Sequence, residues 1–123
     1  MDKEESYKKK LSEGQYKVLR EKATEAAYTG KYNLHFEDGS YVCGACATPL
    51  FSSENKYDAG CGWPSFHEPI ASHLIETKKD SSQDKERTEI LCKNCGSHLG
   101  HVFNDGPTGS RYCVNSLSLD FKK

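Results

Sequence analysis

A chain of 123 residues, 35% hydrophobic and 28% charged, can build one modest domain (1–123), but burial alone would leave its stability thin. A formal net charge of -1 argues against a nucleic-acid protein, whose affinity comes from clustered Lys and Arg. There is no run of about 18 apolar residues to span a membrane. The opening MDKEESYKKK also lacks the apolar stretch of a secretory signal, so the expected setting is a reducing compartment, the cytoplasm.

Residues 1–11 are polar and expected to form a frayed N-terminal arm. Ser12 with Gln15 reads as a capping box opening a short helix. Tyr16, Leu19, Ala23 and Ala26 form its apolar stripe, and Thr29-Gly30 closes it. From Lys31 onward β signals take over. Ser40-Tyr41-Val42 leads into Cys43-Gly44-Ala45-Cys46, and Thr88-Glu89-Ile90-Leu91 leads into Cys92-Lys93-Asn94-Cys95. Each C-x-x-C unit is followed by a leucine at the same offset, Leu50 and Leu99, so a strand delivers a metal knuckle twice. The charged stretch from Glu76 to Glu89 reads as a solvated hairpin tip. The final segment alternates cleanly, with Arg111, Cys113, Asn115, Leu117, Leu119 and Phe121 on one face of a single strand. That face is polar at its start and apolar at its end. Together these signals predict a mainly β, antiparallel domain with an N-terminal helix.

The six cysteines divide four to two. Cys43, Cys46, Cys92 and Cys95 have the spacing of a structural zinc site, which takes four thiolates and leaves no open position. Iron would fit the same four thiolates. A thioredoxin-like unit would need a βαβ context that is absent here, and a disulfide framework would suit a secreted chain.

Cys61 and Cys113 stand apart from that set. Arg111 and Asn115 flank Cys113 at about 6.5–7 Å along a strand, and a guanidinium beside a thiol favours the nucleophilic thiolate. Cys61 lies between Gly60 and Gly62, in a loop expected to be mobile enough to carry it to a partner; a static disulfide or an idle thiol is the plainer alternative. His98 and His101 follow the second knuckle, with Phe103 and Asp105 close behind, and Asp105 could orient a histidine by accepting its ring N–H. His35, His67 and His73 have no such company and are assigned to packing or solvent. Trp63, on the Gly/Pro loop of Cys61, is expected to line a pocket.

The strings CGAC (43–46), CGWPSF (61–66), LCKNCGSHLGHVFNDGP (91–107) and RYCVNS (111–116) together resemble the B class of methionine sulfoxide reductases, in its zinc-containing cysteine form. These oxidoreductases repair oxidised methionine by reducing its R sulfoxide epimer. The resemblance runs from about Leu11 to Phe121. It implies a fold of two small antiparallel sheets around a β-barrel-like core, with one structural zinc on the four knuckle cysteines.

It further implies that Cys113 attacks the sulfoxide sulfur and becomes a sulfenic acid. Cys61 then resolves that acid as a disulfide, which thioredoxin reduces. His98 and His101 would polarise and protonate the sulfoxide oxygen. Asp105 and Asn115 would hold the network, Arg111 would favour the thiolate, and Trp63 with Phe103 would cradle the substrate methyl group. The implied substrate is methionine-R-sulfoxide, free or in proteins, with no nucleic-acid or membrane partner and a monomeric chain. One departure is visible: Ala27-Tyr28 stands where many members carry Pro and Phe, which bears on how the N-terminal arm borders the pocket. A zinc-ribbon-like binding module and a redox sensor using a Cys61–Cys113 disulfide are the competing readings. Neither accounts for His98, His101, Arg111 and Trp63 accompanying the thiols.

Overall fold

The structure, a computed structural model, describes residues 3–80, 87–106 and 109–123. Two helices lead, α1 (Lys3–Lys10) and α2 (Glu13–Glu21). Nine strands follow among the described residues: β1 (Ser40–Cys43), β2 (Pro49–Ser52), β3 (Lys56–Tyr57), β4 (Ser65–Phe66), β5 (Ile75–Asp80), β6 (Arg87–Cys92), β7 (His98–Gly106), β8 (Gly109–Val114) and β9 (Leu119–Lys122). They form two antiparallel sheets, as expected. One is three-stranded in the order β2-β1-β9, the other six-stranded in the order β3-β4-β8-β7-β6-β5.

The core lies between these sheets and is aromatic. Phe51 of β2 stacks on Phe66 of β4 with ring centroids 4.4 Å apart, and Tyr41 of β1 meets the same Phe66 edge-on at 5.2 Å. All three rings are fully buried, together with Leu50, Ile90, Leu99, Val114 and Leu119. Each sheet thus contributes one apolar face, and neither face could stay out of water alone.

The N-terminal region departs from expectation in two ways. The residues expected to be frayed include a helix, α1, whose Lys10 Nζ donates to the Ala45 carbonyl at 2.7 Å, and Leu11 just beyond it is buried. In α2 the capping box is present: Gln15 N–H donates to Ser12 Oγ and Ser12 N–H to Gln15 Oε1, each at 3.1 Å. The helix nevertheless stops early. Lys22 turns left-handed (φ 61°), and Ala23 N–H reaches back to the Lys17 carbonyl at 2.9 Å, closing the helix in a Schellman-like turn. Ala23 and Ala26 therefore lie outside the helix. The chain beyond Lys22 instead lays residues 24–28 along the six-stranded sheet, where Glu25 N–H donates to Asn115 Oδ1 at 3.1 Å.

The C-terminal segment is not one strand. A 3-10 turn, Ser116–Ser118, separates β8 from β9 and carries the chain from one sheet to the other. Its small polar residues anchor it. Ser118 Oγ donates to the His98 carbonyl (3.0 Å), Ser116 Oγ accepts from Tyr32 N–H (3.2 Å), and Leu117 N–H donates to Glu25 Oε1 (2.9 Å). The alternation expected across 111–121 accordingly breaks at the turn, and the buried positions become Val114, Asn115, Ser116, Ser118 and Leu119. In the charged stretch, β5 and β6 do pair as a hairpin, while its centre, 81–86, lies outside the described residues. Glu89, at the edge of that stretch, is buried rather than solvated.

Gly100 on β7 lies so close to β8 that an added Cβ would collide with the Cys113 carbonyl oxygen. Gly100→Ala is therefore expected to cost about 1–3 kcal/mol of unfolding free energy, the usual range for overpacking. Urea denaturation checks this; an unchanged midpoint would mean that the two strands can separate freely.

Candidate active site

Strand pairing alone assembles the central pair of side chains. β8 lies between β7 and β4, so Cys113 sits opposite His101 on one side and Ser65 on the other. The loop carrying Cys61 runs directly into β4 and is pinned by Val114 N–H donating to the Pro64 carbonyl at 2.9 Å. Cys61 Sγ is thereby held 3.6 Å from Cys113 Sγ and 3.4 Å from Ser65 Oγ.

Above the two thiols opens a cavity of about 200 Å³. Trp63, Phe103 and Val114 supply apolar walls, while His101, Asn115 and Arg111 supply polar ones. Trp63 is fixed by its indole N–H donating to the Glu25 carbonyl at 3.0 Å. Asn115 is held from both ends: its Nδ2 donates to the Leu99 carbonyl (3.1 Å) and its Oδ1 accepts from Glu25 N–H. Arg111 is pinned by Asp105, Nε to Oδ1 at 2.9 Å, and its guanidinium lies 4.4 Å over the Phe103 ring. The same contact with Arg111 lowers the Asp105 carboxyl below its usual range.

Two expected roles fall elsewhere. Asp105 pairs with Arg111. The carboxylate that accepts a ring N–H is Glu89, whose Oε2 takes it from His98 Nδ1 at 2.7 Å, while Lys22 Nζ lies 3.3 Å from the other oxygen. His98 itself is buried, and only His101 reaches the cavity wall; the two rings stand edge to face with centroids 5.6 Å apart. Burial pushes the His98 imidazole below its ordinary pKa, with Glu89 opposing, so the ring favours its neutral form. Thr24, Glu25, Glu89 and Arg87 did not stand out in the sequence. A carboxylate inside a charged run gives no sign that it will be buried.

The two thiols oppose each other's ionisation, and their pKa values part, Cys61 downward and Cys113 upward. The Cys61 thiol is lowered to about 5, first by the hydrogen bond from Cys113, with burial opposing and Ser65, the Trp63 backbone and Arg111 helping. Cys113 is pushed well up, first by that same bond to Cys61 and then by burial, against the pull of Arg111. Arg111 does favour a thiolate at Cys113, as expected, but the neighbouring sulfur outweighs it. The loop also differs from expectation. Gly60 N–H donates to Asp58 Oδ1 at 2.9 Å, and the Gly60 and Gly62 carbonyls are both engaged by Tyr28, so Cys61 is already in place.

The other four cysteines form a second site. The chain repeats the same knuckle: Ala47 N–H donates to the Cys43 carbonyl (2.8 Å) and Gly96 N–H to that of Cys92 (2.7 Å), and both turn residues are left-handed (φ 64° and 75°). Cys43 Sγ lies 3.7 Å from Cys95 Sγ and Cys46 Sγ 3.6 Å from Cys92 Sγ, with all four sulfurs within 4.8 Å of one another. A tetrahedron with ~2.3 Å metal–sulfur arms has edges of about 3.8 Å, so the four cysteines can hold a metal ion. Without a cation, the Cys43 thiol is pushed far up by bonding to Cys92 and Cys95 and by burial. A bound cation reverses that logic.

This parting of the two thiols has a measurable consequence. Iodoacetamide at pH 7, followed by peptide mapping, is expected to label Cys61 well ahead of Cys113. In Cys61→Ser the Cys113 alkylation profile should move to lower pH, because the bond and charge that raise it are gone. Faster labelling of Cys113 in the unsubstituted protein would place the charge on the other sulfur.

Residues 11–123 match the family model of the SelR domain. Among similar proteins is the peptide methionine sulfoxide reductase MsrB of Leptospira interrogans, 55% identical over 98% of this chain and 93% of its own length. The MsrB proteins of Chromohalobacter salexigens and Methanosarcina barkeri are 52% and 51% identical, over 96% and 97% of this chain and 91% and 85% of their own lengths. A family match across all but the first ten residues, with relatives this close over nearly the whole length, means that the chain belongs to the SelR domain family of MsrB peptide methionine sulfoxide reductases.

Proposed function

We propose that this chain is a peptide-methionine (R)-sulfoxide reductase, working as a single domain and a monomer in a reducing compartment such as the cytoplasm. The observation that carries the reading is the pair of sulfurs 3.6 Å apart at the base of a cavity walled by an indole and an imidazole.

In this reading the methyl group of methionine-R-sulfoxide, free or in a protein, packs against Trp63, with Phe103 beside it. Cys113 Sγ attacks the sulfoxide sulfur while His101, on the cavity wall, gives a proton to the oxygen; sulfoxides are electrophilic at sulfur only as that oxygen is protonated. His98 supports the step from behind His101, held by Glu89. Asn115 and Asp105 keep Leu99, Glu25 and Arg111 in register. The net first step moves the oxygen from the substrate sulfur to Cys113, leaving a thioether and a sulfenic acid. The Cys61 thiol then condenses with that acid, forming the Cys61–Cys113 disulfide and releasing water. Thioredoxin returns both thiols by supplying two electrons and two protons.

One structural zinc on Cys43, Cys46, Cys92 and Cys95 supplies folding energy and no chemistry to the cycle. Structural zinc can contribute on the order of 10–16 kcal/mol in small peptides.

The decisive experiment is single-turnover reduction of separated R and S epimers, with thiols counted before and after. Consumption of R alone with two thiols lost is expected. Cys113→Ser should abolish it, and Cys61→Ser should give one turnover without thioredoxin-driven recycling. No reduction of either epimer by reduced, metal-loaded protein would sink the reading.

For the metal, elemental analysis should find one zinc per chain. Cys46→Ser and Cys92→Ser should lose it together with several kcal/mol of stability, as expected when a structural ligand is removed. Full stability without metal would remove zinc from the account.

A further inference from the structure

The loop that carries Cys61 is gripped from outside by a residue with no place in the reaction. Tyr28 donates its backbone N–H to the Gly62 carbonyl and its hydroxyl to the Gly60 carbonyl, each at 2.7 Å. One residue therefore holds the peptide groups on both sides of Cys61, through its backbone on one side and its hydroxyl on the other.

Tyr28 accepts two local costs in doing so. Its backbone is left-handed (φ 67°), a region disfavoured for a bulky residue, and the residue remains 69% exposed. The ring also explains Gly62, whose added Cβ would lie 2.6 Å from Ala27 Cβ and 3.0 Å from Tyr28 Cδ2. The two glycines that should let Cys61 swing are thus tied down, with Asp58 holding Gly60 from the other side. Closing Sγ–Sγ from 3.6 Å to the ~2.05 Å of a disulfide needs a shift of about 1.6 Å and no loop excursion.

We propose that Tyr28 is a positioning residue for Cys61. By clamping Gly60 and Gly62 it sets how readily the Cys61–Cys113 disulfide closes. For the step after sulfoxide reduction this rests on the function proposed above. The equilibrium between dithiol and disulfide does not.

The test is therefore made first without substrate. Protein is equilibrated with mixtures of reduced and oxidised dithiothreitol: the dithiol loses two electrons and two protons to the oxidised reagent, which becomes the reduced dithiol. Tyr28→Phe keeps the ring and the backbone bond but removes the hydroxyl. It is expected to lower the equilibrium constant for the protein disulfide by roughly 2- to 10-fold, the worth of one hydrogen bond. A tenfold change corresponds to about 30 mV. Asp58→Ala, which cuts the other tie on Gly60, should shift it in the same direction.

In single turnover with the R epimer, Tyr28→Phe should slow thiol loss relative to methionine formation. An equilibrium constant unchanged or raised in both variants would overturn the clamp, whatever the protein does to sulfoxides. A lowered constant in a protein inactive on both epimers would keep the clamp and remove only the reductase reading.

Discussion

The clasp between the two knuckles is the constraint on which the rest of the molecule depends. The first knuckle joins β1 to β2 in the small sheet and the second joins β6 to β7 in the large one, so bringing four sulfurs together fastens one sheet to the other. β7 leaves the second knuckle directly. His98 is three residues past Cys95, His101 six, and the pairing of β7 with β8 then fixes Cys113 opposite His101. The helices reinforce the clasp: Lys10 caps the Ala45 carbonyl, and Arg20 Nη1 donates to the Cys95 carbonyl and to Ser97 Oγ, at 2.9 and 3.0 Å. Four sulfurs at metal-binding separations thus stand where the two sheets meet, placed to hold them in register.

From that frame the electrostatics of the active site follow. Two half-buried thiols 3.6 Å apart oppose each other's ionisation, which lowers Cys61, also bonded to the Ser65 hydroxyl, and raises Cys113. In the proposed cycle Cys113 thus rests protonated, and the Cys61 sulfur 3.6 Å away stands ready to accept its proton. Arg111 acts on both sulfurs and cannot by itself decide between them. Its pairing with Asp105 and its stacking on Phe103 make it as much a wall of the cavity as a source of charge.

Much of this was legible in the residues. The four-to-two division of cysteines, the doubled strand and knuckle, the capping box at Ser12 and the wall position of Trp63 all follow from spacing and local chemistry. What could not be read depends on contacts between distant segments. Ala23 and Ala26 continue what looks like a helical stripe, but α2 ends at Glu21 and Asn115 claims the Glu25 backbone. Asp105 is near the histidines in sequence, yet β7 and β8 set Phe103 against Arg111, and the carboxylate follows the arginine. Glu89 reaches His98 because β6 and β7 are adjacent strands, a fact that periodicity does not carry. The alternation expected through 111–121 fails because Ser116 and Ser118 find their hydrogen bonds in a turn that ends the β8 strand.

The glycines around Cys61 show why composition is an ambiguous guide to motion. Gly60 and Gly62 have φ of 71° and 93°, backbone that other residues rarely adopt, so glycine is required there for shape before any question of mobility. Once that shape is reached, Asp58 and Tyr28 bond the peptide groups and the freedom is gone. A loop arranged in this way favours speed of closure over reach. For a sulfenic acid the balance is physically sensible: further oxidation to the sulfinic form is irreversible for most proteins, whereas condensation with a waiting thiol is not. The ordering entropy of the loop is met during folding, when the sheets and knuckles are already being fixed, instead of at each turnover.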